Sequence, residues 1–291
     1  MNEQKTELYK IRDFGAKINV TIEYIRHNFG PLLKTVLLIV VPVGLLIGIL
    51  FSNIFTTMFQ MGTNPEMGQE SMSMIMGLGT NYLLMMLLSI FTFAFLLLVI
   101  YGYMKIKDAQ DTRPTPIEVF QKMLPRLPGL ILLVIISGIL IFIGFIMFII
   151  PGFYLMVVLS LAIPVYIFEG EGVGTAFSKS FSLIKDKWWS TFGLIIITML
   201  IASVISYIFF IPFYAMMIGS MFSTMSEGND PEAALAIFSS WYTTVGMSIM
   251  MVGSYITYLI PIIAIGFQYF NLSERMDGKG IRKEIKEFET V

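Results

Sequence analysis

Glu169 and Glu171, in the run IPVYIFEGEGVGTAFSKSFSLIKDKWW at residues 163–189, are the side chains with the most chemistry to offer. Two carboxylates this close could bind a divalent cation or divide acid and base roles in a hydrolysis. No histidine is near them, and Asp186 is the one further acid in the run. The stronger reading is structural: Glu169 closes an apolar helix at a membrane interface, and Gly170, Gly172 and Gly174 shape the turn that follows. The chain has a single histidine, His27, and no cysteine. Disulfides, thiolate clusters and a cysteine nucleophile are excluded, and a histidine-based metal centre is short of ligands. The segment 57–79 is rich in methionine, at 58, 61, 67, 72, 74 and 76, and thioethers bind copper(I). These positions keep no ligand spacing, and Met85-Met86 and Met250-Met251 show methionine used equally as apolar filler. No cofactor, no metal and no enzymatic activity are expected, since no nucleophile-base pair or ligand set is visible.

The elements that carry these residues are set by composition. Of 291 residues 56% are hydrophobic and 13% charged, about half the charged fraction of a soluble domain, so this is an integral membrane protein. Apolar stretches long enough to cross a hydrocarbon core fall at 33–56, 80–104, 127–149, 153–168, 190–211 and 241–270. Pro151-Gly152 reads as the tight turn between the third and fourth; one span plus a re-entrant piece within 130–168 is the alternative. The expected fold is all-α: a polytopic membrane bundle of six transmembrane helices in three hairpins, each preceded by a cytoplasmic amphipathic helix. Residues 1–13 form an N-terminal tail, 14–270 a single membrane domain and 271–291 a C-terminal tail.

Charge placement gives the topology. Six crossings put 1–34, 105–126, 169–189 and 271–291 on one side, and these hold all 19 Lys and Arg residues. The opposite segments hold none, but carry Glu66, Glu70, Glu227, Asp230 and Glu232. By the positive-inside rule both termini are cytoplasmic. No apolar run lies near residue 1, so the first span is expected to direct insertion.

The first amphipathic helix is read over 11–29, with Ile11, Phe14, Ile18, Ile22, Ile25 and Phe29 at spacings of three and four, ended by Asn28-Phe29-Gly30-Pro31. Similar units at 115–129 and 173–193 precede the third and fifth spans. FIIPGFYLM at 148–156 is echoed by FFIPFYAMM at 209–217, and 212–225 is expected to form an outer-surface or partly inserted helix. Arg26, His27, Lys179, Lys185 and Lys187 are the candidate contacts to phospholipid headgroups, Ser178, Ser180 and Ser182 look toward them or toward the polar face of their helix, and Trp188-Trp189 anchor the fifth span. No ionisable residue sits mid-span, which argues against ion-coupled transport. The mild polar residues and the small-residue pairs Gly44/Gly48 and Ala202/Ser206 suit helix packing.

Pro151, Gly152, Tyr154, Pro164, Val165, Glu169, Gly170, Ala176, Ser180, Lys187 and Trp188 together form a pattern. It resembles that of a bacterial integral-membrane superfamily, which includes the membrane domain fused to some glycerophosphoryl diester phosphodiesterases. FNLSERMDGKGIRKEI at 270–285 is similar to that superfamily's C-terminal tail, and the likeness covers about residues 14–285. It implies a multi-pass protein of the bacterial inner membrane. Catalysis does not carry over, because in the fused proteins the phosphodiesterase is a separate soluble barrel for which this chain has no room. The expected function is non-enzymatic, lipid-interacting or scaffolding. Membrane phospholipids are the expected partners, together with another membrane protein and without nucleic acid. The alternative is a permease or lipid-translocating protein without an ion-coupling site, with a groove lined by Ser203, Ser206 or Tyr255.

Overall fold

The structure is a computed structural model that describes residues 6–63, 72–110, 112–226, 241–278, 280 and 282. Among them are ten α-helices: α1 (Phe14–Thr63), α2 (Met72–Ala109), α3 (Pro116–Met123), α4 (Leu127–Met147), α5 (Ile149–Ser160), α6 (Ala162–Glu169), α7 (Val173–Leu183), α8 (Trp188–Ser226), α9 (Trp241–Thr257) and α10 (Leu259–Asp277). Six stretches are long and apolar enough to cross a membrane: Phe14–Met61, Ser73–Ala109, Pro116–Met147, Ile149–Glu169, Trp188–Gly219 and Trp241–Asp277.

The chain forms two compact units. One comprises Met1–Val36, Ala94–Ala202 and Tyr258–Val291; the other comprises Leu37–Phe93 and Ser203–Thr257. All 19 Lys and Arg residues belong to the first unit, while the charged residues of the second are the five acids already named.

In the first unit the chain does not break at Asn28–Pro31, contrary to expectation, because α1 runs straight through. Val20, Tyr24, Asn28, Leu32 and Val36 recur every fourth residue and are all buried. That stripe holds the helix against the loss of the proline N–H, since tertiary packing rather than local propensity decides helix stability. Side chains reinforce the backbone on either side: Asn28 Nδ2 donates to Tyr24 O at 2.8 Å, and Thr35 Oγ1 to Pro31 O at 2.8 Å.

The turn between α4 and α5 also differs from expectation. It is the single extended residue Phe148 (φ −160°, ψ 147°), and Pro151 and Gly152 lie inside α5. Proline is tolerated there because a first-turn N–H has no intrahelical acceptor. Gly152 serves close packing instead: a Cβ on Gly144 would fall 3.1 Å from Gly152 Cα, and Phe145 and Phe153 meet edge to face at 5.2 Å. Farther along, Pro164 and Pro261 each follow a break by three residues, at Leu161 between α5 and α6 and at Tyr258 between α9 and α10. The amphipathic segments at 115–129 and 173–193 hold the short helices α3 and α7, the former capped by Thr115 Oγ1, which accepts from Glu118 N at 3.3 Å.

In the second unit α8 continues through Pro212 to Ser226, so 212–225 is helical as expected but forms the end of a longer helix; residues 227–235 lie outside the described residues. The methionine-rich segment is helical over 57–63 and 72–79, and Met67 lies outside the described residues. Gly44 and Gly48 face α9: a Cβ on Gly48 would fall 2.6 Å from Ser248 Cα, and one on Gly44 would fall 2.6 Å from a Val252 methyl. Ser52 and Thr244 share a hydrogen bond of 3.1 Å. Replacing Gly48 by alanine forces backbone apart and should destabilise the protein by about 1–3 kcal/mol. Gly138 has nothing within 4 Å of its Cβ position, so G138A should leave the unfolding temperature unchanged or raise it. Thermal unfolding of the detergent-solubilised variants checks both.

Candidate functional site

The polar side chains of the first unit gather around the far half of α10. Its sequence, GFQYFNLSERMD, turns polar where the apolar span is spent, yet Gln268, Tyr269, Asn271, Ser273 and Glu274 are all buried. Buried polar groups require partners, and neighbouring elements supply them for Gln268, Tyr269 and Asn271, while among the described residues the Ser273 hydroxyl has none.

On one face, Tyr269 OH donates to Glu169 Oε1 at 2.9 Å. Glu169 Oε2 lies 2.8 Å from Lys179 Nζ, which also reaches Asp277 Oδ2 at 3.0 Å. This bridge ties the end of α6, the middle of α7 and the last residue of α10. Burial alone would lower the Lys179 pKa, but its hydrogen bonds to Glu169 and Asp277 and their negative charges outweigh burial and raise it. A raised lysine stabilises the fold fully below its ordinary value of 10.5 and ceases to only as pH climbs through the raised one, so the bridge is intact at neutral pH. The Tyr9 phenol, hydrogen-bonded to that of Tyr269, is pushed up to about 12 by burial and keeps its proton.

Glu169 does close its helix. Gly170 follows at φ +80° in the left-handed region, where a Cβ would be strained. The carbonyls at this end are covered by cations: Arg126 Nη2 donates to Gly170 O at 3.3 Å, Arg126 Nη1 to Tyr166 O at 3.4 Å and Lys105 Nζ to Ile167 O at 2.6 Å. Positive charge is favourable at a helix C-terminus. Pro164 is buried one turn earlier.

On another face of α10, Gln268 Oε1 accepts from Lys17 Nζ at 2.7 Å, and Gln268 Nε2 donates to Thr191 Oγ1 at 2.7 Å. Asn271 Oδ1 accepts from Arg12 N at 2.9 Å. These contacts join both chain ends to the start of α8.

The expected headgroup residues separate into two groups. Arg26, His27 and Lys185 are exposed and Lys187 is half-buried, whereas Lys179 is held between two carboxylates. Ser180 does not look toward headgroups: it is buried, and its hydroxyl donates to Phe177 O at 2.7 Å; Ser178 and Ser182 are exposed. Pro151 is exposed and Gly152 buried. Tyr154 stacks on Trp188 with ring centroids 6.3 Å apart, Trp188 Nε1 donates to Tyr154 O at 3.4 Å, and Trp188 stacks in turn on Phe192 at 5.1 Å. Sequence reasoning missed Lys17, Arg126, Gln268 and Tyr269. Gln268, Asn271 and Arg275 at spacings of three and four were the available signal that α10 carries a polar face past its span. Among the described residues no group of three His, Asp or Glu side chains could hold a metal ion.

An all-α chain with six membrane-length apolar helices is a polytopic membrane helix bundle. Its residues 122–269 match the family described as a domain of unknown function (DUF7847), and the chain belongs to that family. No curated protein and no solved structure matches it.

Replacing Lys179 by methionine leaves two carboxylates facing each other without their cation and should destabilise the protein by about 1–3 kcal/mol. The double variant E169Q/K179M should lose less than the sum of its single variants, because the partner's charge is gone too. Unfolding temperatures of the four proteins measure the coupling.

Proposed function

We propose that this is a non-enzymatic protein of a bacterial inner membrane that engages anionic phospholipid headgroups on its cytoplasmic side. The observation that carries the reading is the turn from α7 into α8. Lys185, Asp186 (φ 62°) and Lys187 make a tight corner, flanked by Phe181, 43% exposed, and Trp189, 78% exposed. Exposed aromatic rings beside cations suit the boundary between acyl chains and phosphates. Arg26 and His27 on α1 and the short amphipathic helices α3 and α7 extend the same surface chemistry. Resemblance to the membrane domains fused to glycerophosphoryl diester phosphodiesterases fits this reading, as does the concentration of basic residues in one unit, which favours cytoplasmic termini. Three membrane hairpins, each led by an amphipathic segment, are the arrangement we propose. Transport has weaker support: Ser206 lies 3.4 Å from the Thr257 hydroxyl and serves a helix contact.

Full-length protein equilibrated with equal amounts of phosphatidylglycerol and phosphatidylcholine should retain the anionic lipid in native mass spectrometry. R26Q and K185Q should each reduce retention by about fivefold, from the ~1 kcal/mol that a surface cation contributes. Equal retention of both lipids, or co-purification of a stoichiometric protein without selective lipid, would overturn lipid recognition. Topology is tested separately, because the chain has no cysteine of its own: single cysteines replacing Lys185 and Glu232 should react with an impermeant maleimide from opposite faces of the membrane.

A further inference from the structure

The apolar run from Leu127 to Phe168 meets two different surroundings. Val157, Val158, Leu161, Ala162, Val165 and Ile167 are fully buried, so α6 and the second half of α5 are apolar because they are protein core. At the bend the exposure reverses. Phe148 and Ile150 are 71% and 81% exposed, and they continue into an outward stripe on α4 formed by Leu132, Ile135, Ile139 and Phe142 at spacings of three and four. Residues 138–150 hold no charged, hydroxyl or amide side chain.

Contacts with α8 limit how deep that bend can lie. Tyr154 O is 3.4 Å from the Trp188 indole nitrogen, the two rings stack, and Phe153 meets Phe192 edge to face at 6.2 Å. Trp188 begins a membrane-length apolar stretch directly after Lys185 and Lys187, and rings beside cations belong at the headgroup layer. Tyr154 is six residues from Phe148, about 9 Å at helical rise, against a hydrocarbon core about 30 Å thick. Even pointed straight along the membrane normal, a bend this close to Trp188 stops well short of the far surface. In the other direction α5 and α6 run about 22 Å from Tyr154 to Glu169. There Glu169 meets Lys179, and α7 returns along α6 and α5 to the corner before Trp188. Most of the hairpin's length is thus spent against protein.

We infer that the α4–α5 hairpin does not cross the membrane but seats its bend and the α4 stripe among the acyl chains of one leaflet, the one whose headgroups Lys185 and Lys187 meet. Lipid is the occupant because a protein interface carries a polar rim, and this surface has no side chain to form one. The backbone suits hydrocarbon as well, where unpaired groups are costly: Phe148 N donates to Gly144 O at 3.1 Å, Gly152 N to Phe148 O at 3.4 Å, and Pro151 has no N–H. Arg126 and Gly170, joined at the open end, lie on the same face whether the hairpin crosses twice or not at all, so charge placement alone does not separate the two. The inference rests on the headgroup reading for the level of Lys185 and Lys187.

The full chain, which has no cysteine, allows a direct test with F148C and K185C. Both positions are exposed, so the variants should fold, and unchanged unfolding temperatures check this. In sealed vesicles of both orientations, impermeant maleimide should modify K185C from one face and F148C from neither, at under a tenth of the K185C rate. An environment-sensitive fluorophore attached to F148C, reconstituted with brominated phosphatidylcholine, should be quenched at least twofold more by bromines near the chain ends than by bromines near the headgroup. Labelling of F148C from the face opposite K185C, or stronger quenching by the shallow bromines, would overturn the inference and leave the headgroup reading standing. Labelling from the same face as K185C would put the bend in water, and shielding without quenching would put protein over it; either overturns the inference. Equal retention of anionic and zwitterionic lipid, with F148C still shielded and deeply quenched, would overturn the headgroup reading and leave the insertion standing.

Discussion

An ammonium group taken out of water costs several kcal/mol unless other groups replace its hydration, and Lys17 imposes that demand at the meeting of α1, α8 and α10. Gln268 and Ser190 meet it directly, and Thr191 fixes the amide of Gln268. The same demand recurs along α10, where Tyr269 needs Glu169, and Asn271 is paired with the Arg12 backbone. Each partner comes from a different part of the sequence, so satisfying α10 forces the N-terminal segment, the α6–α7 corner and the start of α8 to converge.

The two units solve the packing problem in different ways. In the first, charged and amide groups specify which helix lies beside which, and Lys179 between Glu169 and Asp277 adds a constraint that a purely apolar surface lacks. The second has no basic residue and relies on close approach. Gly48 against Ser248, Gly44 against Val252, and Gly253 against the Phe209 ring bring helices together where lipid offers no hydrophobic gain for doing so.

Six membrane-length apolar stretches and the confinement of every Lys and Arg to a few segments are legible in composition and order, because hydropathy and charge are properties of the residues themselves. Glu169 and Gly170 as a helix end are legible too, since a left-handed residue after a terminal carboxylate is a local feature. What depends on partners distant in sequence is not. Proline suggests a break at residue 31, but the buried stripe from Val20 to Val36 overrides it. Lys179 reads as a surface cation until Asp277 is brought to it. Ser180 reads as polar surface, although its hydroxyl is satisfied within its own helix and its side chain faces inward. Phe148 carries no turn signal, and only the fit of Gly144 against Gly152 accounts for the chain reversing there.

That reversal bears on how the protein enters a bilayer. From Leu127 to Phe168 the chain has no charged residue, and Ile146, Met147, Phe148, Ile149 and Ile150 at the bend are 64–81% exposed. Carrying a hydrophilic loop through hydrocarbon is the expensive step of membrane insertion, and here there is none to carry. The α4–α5 pair can therefore partition from the insertion machinery as one preassembled wedge, its helices already interlocked through glycine, and offer the helices made after it a surface to dock on.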